Sequence, residues 1–119
     1  MGKSQREKGK RGERELASKL REHGFTNARR SKQYSGEGDD SADVIKALPG
    51  VYIECKRVER LNVPDAIKQA VRDSVDGEKG KPGVFHRRNN EPWLVTMRLD
   101  DWIDIYREYF SGLEGCSDD

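Results

Sequence analysis

Two short apolar stretches that meet at Pro49-Gly50 restrict the fold of this chain more than any other feature. Residues 42–48 precede this turn pair and residues 51–58 follow it, and both stretches contain β-branched residues. Stretches of this length and composition on either side of a turn dipeptide predict a β-hairpin. We therefore predict two paired strands near the middle of the sequence.

The second predicted strand has one apolar face and one charged face, because successive side chains in a strand alternate. Glu54 and Lys56 share the charged face. The apolar face, which marks the core side, consists of Val51, Ile53 and Cys55. With the tightest hairpin at this turn, Asp43 lies directly opposite Lys56 and diagonal to Glu54. A longer loop would shift this register, and the face assignment holds only if the shift preserves parity.

Two carboxylates and a lysine on one strand face match the chemistry of phosphodiester hydrolysis. Carboxylates bind a hard divalent cation such as Mg²⁺, which polarises a phosphate and lowers the pKa of an attacking water. A lysine beside them can orient that water or stabilise the charge that develops on the phosphate. Glu13 is a third candidate acid, because it shares a helical stripe with Leu16 and Leu20. Charges on an exposed strand face are more often only solvated, however, and Glu13 also suits the first turn of a helix.

Periodicity and turn residues predict six further elements around the hairpin. They are a helix over 12–23, an edge strand within 27–34, a helix from Pro64 up to Gly77, strands over 84–88 and 93–99, and a helix beginning at Asp100. The last of these strands places Trp93, Val95 and Met97 on one face. The resulting order, α-β-β-β-α-β-β-α, predicts a single α/β domain with a central mixed sheet flanked by helices.

Charge is distributed unevenly along the chain although the net charge is only +1. Residues 1–32 hold eleven Lys and Arg against four Glu, whereas residues 99–119 hold seven acids against one Arg. Such an asymmetry is expected when one surface meets the phosphates of a nucleic acid, and a solubilising basic segment on a helical domain is the equally open alternative. We predict a mobile basic arm over 1–11, a nuclease domain over 12–112 and an acidic tail over 113–119.

Composition excludes several classes of protein. Hydrophobic residues make up 33% of the chain and charged residues 38%, and no run is long enough to cross a bilayer or to form a signal peptide. Cys55 and Cys116 form no metal-ligand pair and are expected to be reduced thiols. A cytoplasmic protein without a membrane partner is therefore expected.

Several ordered motifs resemble the PD-(D/E)xK nuclease superfamily. They are Glu13 on a first helix, Asp43 after a Gly/Ser loop, and Glu54-Cys55-Lys56 on the next strand. Together with Gly24-Phe25 and Ser35-Gly36, these motifs are similar to those of archaeal-type Holliday-junction resolvases and their phage and prophage relatives. Ala42 replaces the proline that names the superfamily, and Asp39 and Asp40 are rival acids for the metal site.

The resemblance implies a restriction-endonuclease-like fold and a role for each matching residue. Glu13, Asp43, Glu54 and the Cys55 backbone carbonyl would hold Mg²⁺, for which Mn²⁺ can substitute, and Glu13, Asp43, Glu54 and Lys56 would be catalytic. The basic N-terminal third and the resemblance together give candidate DNA-binding residues: Lys8, Lys10, Arg11, Arg14, Arg29, Arg30, Lys32, Ser35 and Gln69.

The resulting hypothesis is a Mg²⁺-dependent endonuclease for branched DNA, with the four-way Holliday junction as its expected substrate. A junction needs two matched nicks, so a symmetric homodimer is expected. The enzyme would act in the cytoplasm of a bacterial or archaeal cell and be encoded by the cell, a phage or a prophage. Two alternatives stay open: a nickase or restriction-type enzyme on duplex DNA, and a non-catalytic DNA-binding module.

Overall fold

Helices and strands follow one another in the predicted order α-β-β-β-α-β-β-α in the computed structural model. The structure describes residues 2–31 and 42–117, with side chains for 7–31 and 42–113. The elements are α1 (Gly2–Glu22), β1 (Arg29–Arg30), β2 (Val44–Ile45), β3 (Val51–Arg57), α2 (Val63–Asp73), β4 (Lys81–Arg87), β5 (Leu94–Met97) and α3 (Leu99–Ser117).

The strands form one mixed sheet in the order β1-β2-β3-β4-β5. β3 and β4 run parallel, with α2 as the connection between them, and the other neighbouring pairs are antiparallel. α1 packs over β1, β2 and β3, whereas α2 packs over β3, β4 and β5. The α/β class and the single restriction-endonuclease-like domain predicted from the sequence are thus confirmed.

The central hairpin has a wider loop than the tightest one considered. Val44 pairs with Ile53, so the predicted register is wrong by two residues and Asp43 comes next to Glu54 instead of facing Lys56. Pro49-Gly50 does form a turn, closed by a hydrogen bond from the Val51 N–H to the Leu48 carbonyl at 3.0 Å, with Gly50 at a φ of 83°. This kind of turn does not match the twist of paired strands, so the ladder begins further from it.

The two-residue shift preserves parity, so the predicted faces of β3 hold. Ile53 and Cys55 lie in the core cluster with Leu16 and Ala17 of α1. The charged face is not left to solvent, however, because α2 covers it and Glu54 is only 4% exposed. β3 is therefore buried on both faces, as is typical of a strand with a parallel neighbour and helices on either side.

α1 begins ten residues earlier than predicted, at Gly2. The segment interpreted as a basic arm is rich in Gln, Arg, Glu and Lys, which favour helices, so it continues the helix that the apolar stripe starts. α3 likewise runs into the segment interpreted as an acidic tail. None of the helices in the described part of the chain is long and apolar enough to span a membrane.

Candidate nuclease active site

A cavity of about 570 Å³ opens where α1, β3 and α2 come together. Its lining includes Glu13 from α1, Asp43 from the residues before β2, and Glu54 and Lys56 from β3. The fold thus brings all the residues predicted to be catalytic to one place, although they are up to 43 positions apart in the sequence. Cys55 and Gln69 also line this cavity.

The buried Glu54 and the partly buried Asp43 form a pair of carboxyl groups in the cavity wall. The Cys55 backbone N–H donates a hydrogen bond to Asp43 Oδ2 at 2.7 Å. Gln69 Nε2 of α2 donates to Glu54 Oε2 at 3.0 Å, and Lys56 Nζ lies 3.8 Å from the same oxygen. Each carboxylate is therefore held in one orientation by a fixed donor.

The electrostatics of this pair favour a bound cation. Burial and the neighbouring Asp43 charge raise the pKa of Glu54 to about 8, although the Lys56 ammonium opposes the shift. Burial also raises the pKa of Asp43, against the lowering effect of the Cys55 N–H. Two ionised carboxylates this close repel each other, so a bound cation would favour the ionised form of both. Two such carboxylates at an open cavity are ligands that fit Mg²⁺, which needs only one or two carboxylates besides phosphate and water.

Glu13 lines the cavity, and a hydrogen bond from Arg30 holds its carboxylate. Arg30 Nε donates to Glu13 Oε1 at 2.8 Å, and both side chains are largely buried. Burial and the Asp43 charge raise the pKa of Glu13, whereas Arg30 lowers it. In the parts of the chain with described side chains, no group of three or more His, Cys, Asp or Glu is placed to hold one ion. Among the predicted side-chain ligands, Asp43 and Glu54 are therefore the core of the site.

Cys55 can contribute only its backbone to this site. Its thiol lies in the apolar core with Leu16 and Phe85. Burial raises the pKa of the Cys55 thiol, as do the surrounding carboxylates, so it stays protonated. A protonated, buried thiol is not a ligand for a hard cation.

The close approach of α1 to β3 depends on residues that the sequence interpretation missed. A Cβ at Gly12 would overlap the Cβ of Arg57, so only glycine lets the helix come this near. Arg57 Nε and Arg87 Nη1 both bind Glu15 Oε1, at 3.3 and 2.6 Å, which ties α1 to β3 and β4. The available signal was Gly12 itself, since a glycine inside a helix costs about 1 kcal/mol and usually has a packing reason.

The predicted DNA-binding residues fall into different environments. Lys8 lines the cavity, Lys10 is partly buried, and Arg11 and Arg14 are exposed on α1. Arg29 and Arg30 form β1, where Arg30 holds Glu13. Gln69 is engaged by Glu54, so it orients a carboxylate in this structure. Lys32, Ser35, Asp39 and Asp40 lie outside the described residues.

A mixed sheet between helices, with an acid before one central strand and an E-x-K triplet on the next, defines a nuclease of the PD-(D/E)xK class. The sequence profile of one family in this class, described as "Phage putative PDDEXK endonuclease", matches residues 4–112. The chain belongs to this family of phage endonucleases. No curated protein and no solved structure matches the chain significantly.

Proposed function

We propose that this phage-type nuclease is a Mg²⁺-dependent endonuclease that cuts branched DNA, with the four-way junction as its preferred substrate, and that it acts as a homodimer. The observation that carries the proposal is the pairing of Asp43 with the buried Glu54, with Lys56 beside them, at an open cavity. Mn²⁺ would substitute for Mg²⁺, and the reaction would take place in the cytoplasm of the infected cell.

Each residue of the site has a separate role in the proposed hydrolysis. Asp43 and Glu54 would hold the cation, which when bound would polarise the phosphate and lower the pKa of an attacking water. Lys56 keeps an ammonium next to Glu54, where it can orient the attacking water and stabilise the charge on the phosphate oxygens. Gln69 and the Cys55 N–H keep both carboxylates aimed at the cavity. Glu13, which Arg30 holds in place, would add a third carboxylate beside this cation, binding it directly or through water.

The basic face of α1 supports DNA as the substrate. Lys8 lines the cavity and Arg11 and Arg14 are exposed further along the same helix, so the phosphate backbone can follow α1 to the carboxylates. Resemblance to resolvases and the need for two matched nicks support a junction and two copies of the chain.

A cleavage panel tests this function directly. Junction, flap, linear duplex and single-stranded DNA of shared sequence are incubated with the full chain, with and without Mg²⁺, and Glu54→Ala is the inactive control. We expect Mg²⁺-dependent cutting of the junction in two opposed strands and a large loss in the variant. Equal cutting of linear duplex would identify a restriction-type enzyme or nickase. Junction binding without cutting in Mg²⁺ or Mn²⁺ would identify a binding module and overturn the proposal.

A further inference from the structure

The last helix is exposed over most of its length, and its apolar side is open to solvent. Asp101 is buried and accepts a hydrogen bond from Arg98 Nε at 2.8 Å, while Asp104 accepts one from Lys81 Nζ at 2.8 Å. The exposed apolar residues of α3 include Leu99, Trp102, Tyr106, Tyr109, Phe110 and Leu113. A helix on the surface of a monomer normally has the opposite arrangement, with the apolar stripe facing the core.

The aromatic side chains of α3 form a continuous stack. The rings of Trp102 and Tyr106 stack at a centroid distance of 5.4 Å, and Tyr106 also contacts Tyr109 at 5.9 Å and Phe110 at 6.4 Å. Tyr109 is nevertheless 62% exposed and Trp102 49% exposed. The stripe from Leu99 to Leu113 is about 21 Å long at 1.5 Å per helical residue.

The apolar stripe continues onto the sheet. Val95 pairs with Phe85, so it faces the side of the sheet on which α1 lies. Because α1 packs over β1, β2 and β3, Val95 at the β5 edge is left 54% exposed. Val95, Met97, Leu99 and Trp102 line one groove, which joins β5 to α3. We call the six exposed residues of α3 named above, together with Val95, the α3–β5 surface.

The size of the α3–β5 surface matches an interface between proteins. Its residues expose roughly 550–950 Å² in total, taking about 150–250 Å² for a fully exposed large apolar side chain. The largest apolar patch of a typical monomer is about 300–600 Å². A specific, stable interface buries about 800 Å² on each partner.

Charge distinguishes between the possible occupants of this surface. α3 carries five acids, Asp100, Asp101, Asp104, Glu108 and Glu114, against Arg107 alone. This helix therefore repels DNA phosphates and anionic lipid headgroups, which basic surfaces attract. An uncharged aromatic stripe with an acidic flank suits another protein surface.

We propose that the α3–β5 surface is the interface through which two copies of this chain form a two-fold dimer. In a two-fold arrangement the same patch serves both partners, so α3 of each copy can cover the open β5 face of the other. Each sheet then gains the helical layer that its own chain does not supply at that edge. The inference rests on the homodimer of the proposed function, but not on its chemistry.

The oligomeric state of the full chain tests the interface. Light scattering and sedimentation at micromolar concentration are expected to give twice the 13.6 kDa of one chain. Tyr106→Asp and Trp102→Asp should weaken dimerisation by about tenfold or more, as expected for aromatic residues at the centre of an interface. Arg107→Asp is the matched control, because it adds the same acid at an exposed neighbouring position, and it should leave the dimer largely intact.

A second measurement uses the wild-type chain alone, so it does not depend on the folding of any variant. Oxidative footprinting across a dilution series should show Trp102 and Tyr109 protected in the dimer and accessible in the monomer. A wild-type monomer at every concentration would overturn the interface, as would a dimer in which these residues stay accessible. A monomer that binds anionic phosphatidylglycerol vesicles or oligo(dT) through α3 would do the same and would identify a lipid or single-stranded DNA as the occupant.

These outcomes are separate from those of the cleavage panel. A monomer that cuts junctions in the presence of Mg²⁺ would contradict the proposed interface but support the nuclease function. A dimer with the expected footprint that cuts no DNA would support the interface but contradict the nuclease function.

Discussion

Replacing Glu54 by Gln should stabilise the metal-free protein, although it abolishes cleavage. The side chain keeps its size and an oxygen for the Gln69 amide, which lies 3.0 Å away. It loses a carboxyl group whose pKa is raised to about 8 by burial first and by Asp43 second. The substitution therefore removes the carboxyl group of Glu54, whose ionisation is disfavoured in the folded protein but not in the unfolded chain.

The size and sign of the effect follow from proton linkage. In the unfolded chain Glu54 ionises near pH 4.5, whereas in the folded chain it holds its proton up to about pH 8. The wild-type free energy of unfolding should therefore fall as the pH rises from 4.5 to 8. At pH 7 the loss is on the order of 1 to 3 kcal/mol, since each pH unit between the two values costs up to about 1.4 kcal/mol. Glu54→Gln should be more stable than the wild type by this amount at pH 7 and equal to it near pH 4.5.

Urea unfolding in EDTA at several pH values measures this difference. The exposed Glu22 on α1 provides a matched control, and Glu22→Gln should have nearly the same free energy of unfolding as the wild type. Addition of Mg²⁺ should stabilise the wild type more than Glu54→Gln, because a ligand of the folded state raises its stability. A Glu54→Gln protein that is less stable than the wild type at pH 7, or a difference that does not vary with pH, would refute the reasoning.

Three further predictions concern other parts of the site. Lys56→Arg should lose cleavage in a kinetic assay but keep junction binding in a gel shift, because a guanidinium does not replace a compact ammonium; near wild-type rates would contradict this role. Gly12→Ala should lower the free energy of unfolding by about 1 to 3 kcal/mol in urea, because its Cβ meets Arg57. Gly9→Ala, a control in open space on the same helix, should be neutral or stabilising by up to about 1 kcal/mol. Deletion of residues 1–11 should reduce the salt dependence of DNA binding by about 0.9 in log–log slope per lost phosphate contact, and an unchanged slope would show that this segment does not touch DNA.

Local patterns account for what could be predicted from the sequence. The alternation of Glu54 and Lys56 with Ile53 and Cys55 indicated the two faces of β3, because side-chain direction in a strand depends only on position. The turn residues and apolar spacing indicated the order of the elements for the same reason. The predicted register of the hairpin at Pro49-Gly50 was wrong, because the length of a hairpin loop depends on how its turn fits the twist of both strands.

Contacts between distant residues could not be predicted in this way. The Arg30–Glu13 pair and the Gln69–Glu54 hydrogen bond join positions 17 and 15 residues apart. The sequence alone predicts Arg30 and Gln69 as DNA-binding residues and does not indicate these carboxylate partners. A basic or amide side chain near a basic segment can bind phosphate or a carboxylate of the chain itself equally well. Only the packing of α1 against β1 and of α2 against β3 decides which partner is in reach.

The sequence by itself determined the kinds of element, the faces of β3 and the set of side chains that carry the proposed chemistry. Those properties depend on residue type and on spacing along a few turns or one strand. Only the tertiary structure decided that β3 and β4 pair in parallel, that both faces of β3 are buried, and that α3 presents its apolar side to solvent. The amphipathic pattern of α3 is the same whichever way the helix is rotated. Of the ion pairs in the described part of the chain, only the long-range pair Lys81–Asp104, which forms once β4 is in place, ties α3 to the sheet, whereas Arg98–Asp101 is local to the start of the helix.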